Sequence, residues 1–166
     1  MGVIYDYFRA ADGREAARVM DRLGGPLGPT PAFDGVETKG IDPGVILGQL
    51  VAFIRHVPWE VDLVPTTMVW PSPETKPASE EAYNRLPESS PWKTGPWLEE
   101  LSPRVRDTLA AVEDARFSEL TAKWAGIEEF YGDADERDLL VLIKDLVELA
   151  GRARDAGDQV YCWSCL

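Results

Sequence analysis

Residues with reactive side chains are scarce in this chain. Its 166 residues include one histidine and two cysteines. A structural zinc site takes four ligands, so His56, Cys162 and Cys165 cannot complete one. Two cysteines are also too few for the disulfide framework of a small secreted domain. No apolar run approaches the roughly 18 residues that a membrane-spanning helix needs. The opening "MGVIYDYFRAADGRE" lacks a basic segment followed by a long apolar one, so no secretory leader is expected. Its Met-Gly start is followed at position 6 by Asp6 in place of Ser or Thr, which argues against myristoylation. Cations are few: 17 Lys and Arg face 29 Asp and Glu, for a formal net charge of −12. Nucleic-acid binding depends on cations that displace phosphate counterions, and this balance excludes it. A soluble cytoplasmic protein without cofactor, metal or membrane partner is expected. The acidity suits solubility, and it also suits a basic partner.

Apolar residues make up 45% of the chain, enough to fill one core, and the length suits a single domain over 1–166. "VIYDYF" (3–8) reads as a strand. Asp12 is placed to cap a helix to about Leu23, with Ala16, Val19, Met20 and Leu23 as its apolar stripe. The following "GGPLGPTPAFDG" is Gly-rich but lacks a Gly-Lys-Ser/Thr ending and follows a helix, so a phosphate cradle is excluded. Asp42-Pro43 opens a helix to about Val57, since proline costs nothing at the first helical position. "WEVDLV" (59–64) alternates and predicts a strand, and "TTMVW" (66–70) extends or pairs with it.

Seven of the thirteen prolines lie between Pro65 and Pro96. The polar, proline-rich stretch at about 71–96 predicts a long exposed loop. Ser102-Pro103 repeats the helix-opening pattern. A further helix is expected over about 117–130, and Asp135 caps a long one ended by Gly157. In that last helix Leu139, Leu142, Ile143, Leu146, Ala150 and Ala153 recur at helical spacing. "QVYCWS" closes the chain as a strand. The fold expected is α+β: a small sheet that includes the N- and C-terminal strands, packed against four to five helices.

Four features carry candidate chemistry. The first is the C-x-x-C pair. In a strand, residues three apart face opposite ways about 10 Å apart, so Cys162 and Cys165 should be unbridged, reduced and largely buried. The second is His56, near a helix C-terminus, where the dipole favours a partly positive imidazole. No G-x-S-x-G accompanies it, and no catalytic residue is assigned. The third is the acidic turn "EEFYGDADERD", with Glu128, Glu129, Phe130, Tyr131, Asp133, Asp135, Glu136 and Asp138. Its Asp133-x-Asp135 spacing fails as a calcium loop, because Asp138 stands where glycine is needed and Lys144 where glutamate is needed. The turn is either a solvated helix end or a contact surface for a basic partner, with Phe130 or Tyr131 as an aromatic anchor. The fourth is a tryptophan group, Trp59, Trp70, Trp92 and Trp97, with Glu60 and Asp62. If 59–64 is a strand, both carboxylates share a face and either line a pocket or simply meet solvent.

"MGVIYDYFRAAD" followed by a short helix, and a closing helix running into "ARDAGDQVYCWSCL", resemble the two ends of the YfbM-like bacterial proteins, a family of unknown function. The middle of the chain, with "KGIDPGVILGQL" and "VPWEVDLV", looks like uncharacterised actinobacterial proteins. The resemblance implies the strand-helix opening and the helix-glycine-strand ending, and no catalytic residue. Two function classes follow. One is a non-enzymatic protein-binding domain of the immunity or antitoxin type with a basic partner. The other is a small-molecule-binding or enzymatic domain with a tryptophan-lined pocket near residues 59–97. The oligomeric state is left open.

Overall fold

The computed structural model describes residues 2–166. In chain order the elements are β1 (Ile4–Ala10), α1 (Gly13–Ala17), β2 (Gly35–Lys39), α2 (Ile46–Arg55), β3 (Thr66–Trp70), α3 (Glu80–Asn84), α4 (Pro91–Thr94), β4 (Trp97–Leu101), α5 (Pro103–Ala110), α6 (Phe117–Ala125), α7 (Glu136–Ala156) and β5 (Gln159–Cys165). The strands form one antiparallel sheet in the order β2-β1-β5-β4-β3. The first and last strands are therefore neighbours inside the sheet, with Ile4 opposite Cys165 and Ala10 opposite Gln159. This is the α+β arrangement expected from the sequence.

The longer helices α2, α5, α6 and α7 pack over one face. There Tyr7, Cys162, Val160 and Leu101 meet Leu50, Leu109, Trp124 and Leu146. The other face carries Phe8, Ala10, Leu98, Tyr161 and Trp163 against Ala16 and Val19. Both faces of β5 are thus covered, and Val160–Ser164 are buried without interruption. Burial on both sides removes the polar/apolar alternation that marks a half-exposed strand.

Local chemistry accounts for the helix boundaries. Asp42 accepts from Val45 N–H at 2.7 Å and from Ile46 N–H at 3.3 Å, which serves the free donors at the start of α2. At the other end of α2, Arg116 donates to the Ile54 and Phe53 carbonyls at 2.8 and 3.2 Å. Asp135 caps α7 through Arg137 N–H, and Gly157 ends it in the left-handed conformation at φ 75°. Trp124 is fully buried and satisfies its indole N–H on the Ile46 carbonyl at 2.9 Å, which ties α6 to α2.

Several expectations are corrected. Residues 59–64 are not a strand. Val61–Leu63 make a 3-10 turn, Val61 is exposed, and the segment does not join the open edge of β3. Glu60 and Asp62 therefore do not share a strand face. The first helix stops at Ala17 and continues as a 3-10 turn to Asp21, so Leu23 is exposed instead of joining the stripe. α6 ends at Ala125, five residues short of its expected end, and Glu128–Phe130 form a separate 3-10 turn. The proline-rich stretch is not wholly irregular: α3 and α4 interrupt it, each started by a serine that accepts a backbone N–H. No helix among the described residues is long and apolar enough to cross a membrane.

Candidate functional site: a groove at the sheet edge

The acidic turn is divided by its packing. Phe130 is half-buried and meets the Trp124 ring edge-on at 5.5 Å, so it belongs to the core margin and not to a free anchor. Glu129 accepts from Gln49 Nε2 at 2.7 Å, which holds the turn to α2. Asp135 is occupied as the helix cap. Glu128, Tyr131, Asp133, Glu136 and Asp138 are exposed, and Tyr131 is 89% accessible with a left-handed backbone.

Phe130 and Asp138 also line a groove of about 490 Å³ between β2 and α7. Val36 and Ile41 form one wall, and Leu139, Val141 and Leu142 the other. Val141 is 58% exposed, although it is a large aliphatic residue. Glu37, Asp138 and Asp145 stand around this apolar floor, with Lys39 the one cation among the lining residues.

The groove runs beside an open sheet edge. β2 is the terminal strand and pairs with β1 alone among the described residues. Arg9 N–H donates to the Asp34 carbonyl at 3.0 Å and Gly40 N–H to the Val3 carbonyl at 3.1 Å. Bonded and non-bonded pairs alternate in an antiparallel ladder. With Asp6 opposite Glu37, the backbone N–H and C=O of Gly35, Glu37 and Lys39 must point away from β1, toward the open side. The strand is held in place by a charge cluster at its start. Asp34 accepts from Arg9 Nε at 2.7 Å and from both Nε and a terminal nitrogen of Arg152 at 2.8 and 2.9 Å. These partners hold its carboxyl down at about 2.

The tryptophan group does not converge. Trp59 donates to the Gly44 carbonyl at 3.0 Å and lies over Gly48, where an added Cβ would be 2.8 Å from its indole nitrogen. Trp92 donates to Thr75 Oγ1 at 3.0 Å within the proline-rich stretch. Trp70 is on the edge strand β3 and partly exposed. Glu60 lines a small cavity of about 160 Å³ with Asp62 and Arg55. Only Asp62 and Trp97 share a larger cleft, on the helix-covered face of the sheet.

Cys162 faces the main core and Cys165 the opposite cluster, as strand alternation requires, and both thiols are free. Burial pushes the Cys162 thiol well up, with Glu99 adding to it. Only thiolates react readily. A thiol-titrating disulfide reagent should therefore modify Cys165 in the native protein and Cys162 only after denaturation. Rapid titration of both native thiols would contradict this placement. His56 is exposed at the left-handed C-cap of α2.

Sequence reasoning missed β2, and with it Val36, Glu37 and Lys39, as well as the groove-side residues Val141 and Asp145. The one local signal is the alternation in "VETK", with Val36 and Thr38 buried and Glu37 and Lys39 exposed. No protein-family model, no curated protein and no solved structure matches the chain.

Proposed function

We propose that this is a non-enzymatic binding protein, of the immunity or antitoxin type, that receives an extended segment of a basic protein partner on the β2 edge. The observation that supports this best is the groove. An apolar floor, three carboxylates at its margins and outward-pointing backbone groups of β2 lie together. A strand added at β2 would pair with the free N–H and C=O groups of Glu37 and Lys39. Its alternate side chains would then lie against Val141 and Leu142 on α7. Main-chain bonds supply affinity in such strand addition, and the side-chain pockets supply selectivity. Lysines or arginines at the other alternate positions would lie on the opposite face with Glu37, and Asp138 and Asp145 on α7 would add a longer-range negative field. That complementarity speeds association and makes it salt-dependent.

The test uses a synthetic peptide of alternating valine and lysine, with its valine-glutamate counterpart as control. The lysine peptide is expected to shift and protect the backbone amides of residues 35–39, and the glutamate peptide to leave them unchanged. Asp138→Lys with Asp145→Lys should weaken binding by about tenfold or more and flatten its salt dependence. Binding of both peptides alike, or of neither, would overturn the proposal.

A further inference from the structure

A second site lies at the other end of the helix-covered face, in a cleft of about 600 Å³. Its floor is a single row across three strands. Tyr5 on β1 is opposite Ser164 on β5, and Ser164 is opposite Trp97 on β4. Neighbouring strands are about 4.8 Å apart, so the two aromatic residues stand about 10 Å apart at the backbone with only a hydroxymethyl group between them. Glu99 projects from the same face of β4, two residues beyond Trp97. Asp42 and Asp62 also line the cleft, and no Lys, Arg or His does.

Existing hydrogen bonds account for only part of this polar lining. The Asp42 carboxylate is already engaged by the first N–H groups of α2. Thr66 Oγ1 donates to Glu99 Oε1 at 2.8 Å, and the second oxygen of Glu99 has no partner among the described residues. The Ser164 side chain lines the cleft at 7% residue exposure and makes no hydrogen bond among the described residues. Its hydroxyl oxygen stays reachable from the cleft and is free to bond a ligand or water there.

We infer that this cleft binds a small organic cation, an alkyl- or methylammonium compound. An anion would face Glu99 and Asp62 with no positive side chain to offset them. A cation is attracted to the faces of tyrosine and tryptophan, more strongly where water is displaced. Tyr5 and Trp97 supply those faces, Glu99 the counter-charge, and Ser164 a hydroxyl at the base. The site is separate from the β2 groove and does not depend on the partner proposed there.

The experiment titrates the parent protein with choline and with its uncharged carbon analogue 3,3-dimethylbutanol, following heat release and the Trp97 indole N–H resonance. Choline is expected to bind saturably and to shift that resonance, with the neutral analogue about tenfold weaker or more. Glu99→Gln keeps an acceptor for Thr66 and should weaken choline by about tenfold or more, with an unchanged thermal midpoint. Equal binding of the two compounds to the parent, or no saturation by choline, would overturn the inference. Undiminished choline binding by a folded Glu99→Gln variant would overturn it equally. If that variant does not fold, the comparison of choline with its analogue on the parent protein decides.

Discussion

Leu146→Asp is expected to yield a chain that does not fold, while Val141→Asp in the same helix melts within about 3 °C of the parent. Leu146 is 2% exposed, within the main core cluster. Truncating such a leucine alone costs about 2–5 kcal/mol. An aspartate there adds a carboxyl without a partner, which costs several kcal/mol even when it takes up a proton. The total stability of a domain is only about 5–15 kcal/mol. Val141 lies five residues earlier and is 58% exposed, so its carboxylate stays in water. Circular dichroism and thermal melting of the two variants measure the difference. A cooperative melt of Leu146→Asp near the parent midpoint would show that the stripe of α7 faces elsewhere. Val141→Asp is informative in a second way, since it should keep the fold while placing a charge in the β2–α7 groove.

The inward place of Leu146 was legible in the sequence, because helix periodicity is local. The Asp135…Gly157 pair marks the ends of α7 by the chemistry the structure displays. Ser102-Pro103 marks the start of α5 through the proline alone, without a side-chain cap, and Asp42-Pro43 lies one turn before α2, which begins at Ile46. Strands are different. β4 and β2 are five residues each, and what makes them strands is pairing with segments far along the chain: Trp97 with Ser164, and Glu37 with Asp6. Residues 59–64 show the converse. They alternate as well as any strand here, yet they turn without joining the open edge of β3. The acidic turn was visible as composition, but the groove beside it exists only once β2 is laid against α7. The cleft is similarly hidden. Tyr5, Trp97 and Ser164 lie far apart in sequence and become one row only through the register of three strands.

Asp6→Asn is expected to stabilise the protein at neutral pH and to make little difference near pH 4. Asp6 lies inside the sheet on β1 at 3% exposure, opposite Glu37 on one side and Trp163 on the other. Its Oδ1 is buried without a hydrogen-bond partner. Burial is the first cause that raises its carboxyl, and the Glu37 charge is the second. The Thr38 backbone N–H opposes them, and the result is about 6 against an ordinary 3.8. The folded state thus holds this proton more tightly than the unfolded chain does. Between about pH 4 and pH 6 the native protein carries more protons, so its stability falls as pH rises through that window. Above pH 6 the loss is complete, about 3 kcal/mol at roughly 1.4 kcal/mol per pKa unit. Asparagine has the same shape and no charge, so urea unfolding at pH 7 should show the variant more stable by about 2–3 kcal/mol. Asp34 responds in the opposite sense, its stabilisation being lost as pH falls below 4 toward 2, but that contribution is common to variant and parent and cancels in their difference. Glu37→Gln should give a smaller gain of the same sign, because Glu37 is the secondary cause and is exposed. An equal gain from Asp6→Asn at pH 4 and pH 7 would mean that the benefit comes from packing and that the buried charge is not its source.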